Sequence, residues 1–125
     1  MEKAGIVYFA KHILGCGCDN SIFDSIVKDD DTILNCGVKL KKKIVIGKRL
    51  LIYVADSSEF RPEDVRNVIT EGINERNRNS YNRLRLAIIT PGTSGLASSY
   101  LGEFGCMTEK DDRTHIHIVS DEDVI

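Results

Sequence analysis

The chain has 125 residues, 42% of them hydrophobic and 29% charged, with a formal net charge of −2. That length suits one domain and excludes a two-domain enzyme, an eight-unit β/α barrel or a long repeat array. The composition excludes wholesale disorder and collagen-like or mucin-like architecture, and the charge balance gives no bulk attraction to nucleic acid or anionic lipid.

In chain order, the apolar residues 6–10 predict a first strand. Lys11 and His12 follow where a secretory signal would need a cleavage site. No apolar run approaches the roughly 18 residues that cross a bilayer. A cytoplasmic location without a membrane span is therefore expected, with the four cysteines as reduced thiols rather than a disulfide frame. Asp19 is placed to cap a helix whose stripe is Ile22, Phe23, Ile26 and Val27. The acidic run Asp29-Asp30-Asp31 and the basic run Lys39-Leu40-Lys41-Lys42-Lys43 read as solvated loop or strand edge. Residues 38–46 predict an edge strand or hairpin arm, with Gly47-Lys48 as its turn.

The second half alternates more clearly. Residues 50–55 form a continuous apolar run ending at Asp56, as suits a strand covered on both faces. A helix is predicted over residues 61–77. Val65, Val68, Ile69 and Ile73 make its stripe. Pro62 fits its first position, Phe60 is placed to staple onto Val65, and Glu63 and Asp64 favour the positive end of its dipole. The polar stretch 74–80 ends it. Residues 84–89 predict the next strand, closing on Thr90-Pro91-Gly92. A helix starting at Thr93 or Ser94 follows, with Ala97, Tyr100, Leu101 and Phe104 as its stripe and Gly105 as its stop. Residues 115–119 predict a last strand, and Ser120-Asp121-Glu122-Asp123 resembles the start of a single helical turn.

This order predicts one α/β domain over residues 1–125. Its sheet is mixed, mostly parallel and flanked by helices, with right-handed crossovers. Residues 1–47 supply an N-terminal strand, a helix and edge strands, and residues 48–125 the alternating portion.

Thr90-Pro91-Gly92-Thr93-Ser94-Gly95 leaves the carboxyl end of a predicted central strand and enters a helix. Ligands of open α/β sheets gather at such strand ends, and helix amides there receive anions. The segment reads either as an anion site with a modifiable hydroxyl, or as an ordinary turn with Thr93 or Ser94 as N-cap. No phosphate-loop lysine follows, so a Walker-type nucleotide site is not supported. Asp56-Ser57-Ser58-Glu59 lies at a neighbouring strand end, as an acidic rim or as a capping turn before Pro62. Cys16 and Cys18, with His12 nearby, read as small residues of a tight turn, as a zinc or iron site, or as a redox dithiol. His115 and His117 share one strand face. No nucleophile elbow, zincin motif or dinucleotide fingerprint is present, so an enzyme is not the leading expectation and no cofactor is called for.

Thr93-Ser94-Gly95-Leu96, with a strand before it and a helix after it, resembles the Ser-Gly-Leu signature of the STAS family. That family includes the anti-sigma-factor antagonists and is related in shape to small CRAL-TRIO-like domains. The resemblance covers residues 48–125. It implies a STAS-like strand and helix order and a regulatory module that binds a partner protein. It also implies a phosphorylatable serine at Ser94, with Thr93 as neighbour. The acidic residue that usually precedes the Ser-Gly is replaced here by Gly92-Thr93. The expected function is a small regulatory or binding module. It would dock a protein or a small anionic ligand through Thr90, Gly92, Thr93, Ser94, Gly95, Asp56 and Ser57. A metal- or thiol-dependent protein using Cys16 and Cys18, and a homo-oligomeric structural component, are the alternatives.

Overall fold

The computed structural model describes residues 26–90, 96–107 and 113–120. Its elements are β1 (Ile26–Ile33), β2 (Lys39–Ile46), β3 (Leu50–Asp56), α1 (Val65–Arg78), β4 (Arg83–Thr90), α2 (Leu96–Gly105) and β5 (Thr114–Ser120). They build one five-stranded mixed sheet in the order β1-β2-β3-β4-β5. The first three strands form an antiparallel meander, and β3, β4 and β5 run parallel. The chain is thus a small α/β domain. Parallel pairing holds on the β3–β5 side and not on the β1–β3 side. Antiparallel neighbours need only short turns, whereas parallel neighbours need crossovers, which α1 and α2 supply here.

Local chemistry explains the meander. Gly47 and Lys48 both take positive φ, 62° and 56°, and Arg49 N–H donates to the Ile46 carbonyl at 3.0 Å. That left-handed pair matches the twist of a tight hairpin. β2 lies between β1 and β3, so of the two roles expected for this stretch it takes the hairpin arm and not the edge. The acidic run lies on β1 and faces the basic run on β2. Asp29 pairs with Lys43 and Asp30 with Lys42 in register, and Lys42 Nζ lies 2.8 Å from Asp30 Oδ1. Lys42 holds the Asp30 carboxyl below its ordinary range. Ile26 and Val27, expected at the end of a helix, are strand residues opposite Ile46 and Val45. Helical spacing is a local signal, and the cross-strand pairing of β-branched residues overrides it. The rest of that helix and the strand at residues 6–10 lie outside the described residues.

Both faces of the sheet are buried at β3 and β4. On one, Leu51, Tyr53, Ala55, Leu84, Leu86 and Ile88 share a cluster with Val65, Val68 and Ile69 of α1 and Tyr100 of α2. Side chains of this size contribute about 1.5–3 kcal/mol each when fully buried. Both helices lie on this face. The strand order advances steadily from β3 to β5, so crossovers of one hand put their helices on one side. On the other face Ile44, Ile46, Leu50, Ile52, Val54, Ala87 and Ile89 are equally buried. This explains why β3 and β4 read as continuous apolar runs.

Pro62–Asp64 is a single 3-10 turn ahead of α1. Arg61 N–H donates to Asp64 Oδ2 at 3.0 Å, which satisfies an amide at the helix entry. Phe60 is buried and stacks on Tyr100, with ring centroids 5.4 Å apart. The Tyr100 hydroxyl donates to the Phe60 carbonyl, so this pair fixes the chain's entry into α1 against α2.

Candidate functional site

Of the residues named for a strand-end rim, Asp56, Ser57 and Thr90 lie among the described residues. Asp56 closes β3 and Thr90 closes β4, and Ser57 N–H donates to the Ile89 carbonyl at 2.9 Å. The two strand ends expected to share a rim are therefore joined by backbone. Within it, Asp56 Oδ1 accepts the Ser58 N–H at 3.0 Å, which makes its carboxylate a turn-closing acceptor. Thr90 is buried, Ser57 is half-buried, and Ser58 and Glu59 are exposed. Lys39 of β2 reaches Glu59 at 3.9 Å and Asp31 at 3.8 Å. Gly92, Thr93, Ser94 and Gly95 lie outside the described residues, as do His12, Cys16 and Cys18. The two described cysteines, Cys36 and Cys106, are free and exposed. Among the described residues no group of His, Cys, Asp and Glu is placed to hold a metal.

His115 and His117 do share one face of β5, and their environments differ. His115 is exposed. His117 is half-buried, with Nε2 3.0 Å from Nη1 of the buried Arg85. Burial, the Arg85 charge and His115 hold the His117 imidazole down at about 4. It is therefore a neutral side chain at pH 7.

A second polar centre has no counterpart in the sequence reading. Val65, Val68, Ile69, Gly72, Glu75 and Arg76 are the buried residues of α1. The stretch taken to end the helix in polar residues thus carries a carboxylate and a guanidinium into the interior. Gly72 makes this possible. A Cβ built there would lie 2.7 Å from Leu84 Cδ2 and 3.1 Å from Tyr53 Cε2, so α1 sits directly on β3 and β4. One turn on, Glu75 accepts the Tyr53 hydroxyl on Oε1 and pairs with Lys43 through Oε2. Burial, followed by the bond to Glu75, pushes the Tyr53 phenol well above its ordinary value. Arg76, 1% exposed, donates from Nη1 to Thr114 Oγ1 at 3.0 Å and so ties α1 to β5. The available signal was spacing: Glu75 falls three residues after Gly72 and seven after Val68, on the buried stripe.

Because α1 sits over β3 and β4, the β1–β2 part of the same face stays open, and Val27 is 56% exposed. An open cleft of about 510 Å³ lies there. Val27, Asp29, Lys43 and Val45 line it from the sheet, Glu75, Asn79 and Tyr81 from α1 and the segment after it, and Lys48 from the β2–β3 turn. Glu71 braces the neighbouring loop. Its two carboxylate oxygens accept the Asn35 and Cys36 N–H groups at 2.9 and 3.0 Å.

No family model, curated protein or solved structure matches this chain. Among the described residues no helix is long and apolar enough to cross a membrane.

Proposed function

We propose that this chain is a small STAS-like regulatory or binding module. It docks a partner protein, or a small anionic ligand, on the rim at the carboxyl ends of β3 and β4. One observation carries this: the Ser57-to-Ile89 hydrogen bond sets the Asp56–Glu59 turn beside Thr90, the residue from which segment 91–95 departs. The run β3, α1, β4, α2, β5 with parallel pairing supports the expected order over residues 48–125. Ser58 and Glu59 are the exposed part of the turn.

Ser94 is four residues beyond Thr90. Phosphate on Ser94 or Thr93 adds about −1.5 to −2 charges. The proposed docking surface already carries the carboxylates of Asp56 and Glu59, so a partner suited to it is opposed by further negative charge and modification weakens docking. The test is affinity capture from the native host with wild type, Ser94→Ala, Ser94→Asp and Glu59→Lys. Wild type and Ser94→Ala retain one partner, while Ser94→Asp and Glu59→Lys lose it by about tenfold, equivalent to about 1.4 kcal/mol. Equal retention by all four variants rejects the rim and its switch together.

A copy-to-copy interface is the second reading, favoured by the apolar side chains exposed on β1, Val27 at 56% and Ile33 at 70%. Antiparallel pairing of two β1 strands about Asp30 opposes aspartate with aspartate, which is unfavourable. Sedimentation across concentrations separates the two readings.

A further inference from the structure

The cleft over β1 and β2 lies away from the rim. It is bounded by Lys48 in the β2–β3 turn and by Asn79 and Tyr81 ahead of β4, at the amino ends of the parallel strands. Its volume is in the range of small-molecule sites. Its lining combines an apolar floor, Val27 and Val45, one aromatic side chain, Tyr81, and charges of both signs.

The charges are not equivalent. Lys43 and Glu75 neutralise each other, and Glu75 is further satisfied by Tyr53. That pair forms a fixed wall. Asp29 and Lys48 are both exposed, and neither enters any of the ion pairs of the described residues. They sit at different ends of the cleft. Asp29 is directly opposite Lys43 on β1–β2. Lys48 lies beyond Ile46, at the turn. Three strand steps separate Lys43 from Ile46, about 10 Å at roughly 3.3 Å per residue. Lys48 holds φ at 56°, a conformation that non-glycine residues adopt sparingly.

We propose that this cleft binds a short zwitterionic peptide of about three residues, its ammonium at Asp29 and its carboxylate at Lys48. The apolar side chains of the peptide lie on Val27 and Val45, beside Tyr81. A free amino acid carries both charges on one carbon and does not span the two ends. An extended tripeptide, about 10–11 Å at about 3.3–3.6 Å per residue, does.

The test is a two-dimensional NMR titration of the full chain with four probes: the tripeptide Leu-Ala-Leu, its N-acetyl form, its C-terminal amide, and free leucine. The tripeptide gives saturable shifts at Val27, Val45, Lys48 and Tyr81, and none at Ser57–Glu59. Acetylation and amidation each weaken it by about fivefold, the size of one partly exposed ion pair. Free leucine binds more weakly than either. Asp29→Asn abolishes the penalty of acetylation alone. Lys48→Asn abolishes that of amidation alone, and asparagine tolerates positive φ. Both changes are at exposed positions and leave the fold intact, as the unperturbed spectrum away from the cleft verifies. Absence of saturable shifts at about 10 mM tripeptide, well above millimolar affinity, overturns the proposal. So does equal binding of the charged and blocked forms, or free leucine matching the tripeptide.

Discussion

The junction of Tyr53 with Glu75 gives the sharpest test of how α1 is held on the sheet. Tyr53 is fully buried, its hydroxyl donates to Glu75, and Lys43 takes the other carboxylate oxygen. Glu75→Ala removes both bonds, with unequal results. The Lys43 side chain is 23% exposed and turns to water, so losing that pair costs at most about 1 kcal/mol. The phenol has no such escape, and a buried hydroxyl without its acceptor costs about 1–3 kcal/mol. Alanine's helix propensity returns a few tenths of a kcal/mol. The net expectation is a loss of about 2–3 kcal/mol, a substantial share of the roughly 5–15 kcal/mol that holds a domain folded. In urea unfolding the midpoint falls by about 1–2 M with the slope unchanged. A double-mutant cycle isolates the cause. Tyr53→Phe alone costs about 1 kcal/mol, since Glu75 keeps Lys43. In the double variant no hydroxyl is left stranded, so the two losses combine to about 1–2 kcal/mol less than their sum. Additivity within about 0.5 kcal/mol would refute a direct Tyr53–Glu75 interaction as the source of the stability.

Two further perturbations probe the same architecture. Gly72→Ala gains about 1 kcal/mol of helix propensity, yet its methyl meets Leu84 and Tyr53. Overpacking of about 1–3 kcal/mol makes the variant less stable by thermal denaturation, and a higher Tm would contradict the close approach of α1. His117, held at about 4 in the folded chain against its ordinary 6.5, binds its proton more readily when unfolded. Stability therefore falls as pH drops from about 6.5 towards 4, by at most about 1.4 kcal/mol per pH unit. His117→Gln flattens that part of the profile. An NMR titration midpoint for His117 near 6.5 would show that Arg85 and burial do not act on it.

The local order of the second half was legible in the sequence because each signal there is short-range. Continuous apolar residues marked β3 and β4, a stripe three and four residues apart marked α1, and Asp56 and Pro62 marked the turn between them. What only the tertiary structure decided involves partners distant in sequence. Ile26 and Val27 satisfy a helical pattern, but pairing with Ile46 and Val45 makes them strand. The meander set β2 inside the sheet, although a run of lysines reads as an edge. That the turn after β3 lies against the end of β4 is seen only in the bond from Ser57 to Ile89. Glu75 and Arg76 looked like the polar end of a helix, since charged side chains normally face water whatever stripe they fall on. Their burial depends on Tyr53, Lys43 and Thr114, three strands' worth of chain that no local window contains. Sequence fixes which residues carry charge and where the chain turns; only long-range pairing decides which charges find partners and which, like Asp29 and Lys48, are left facing a cleft.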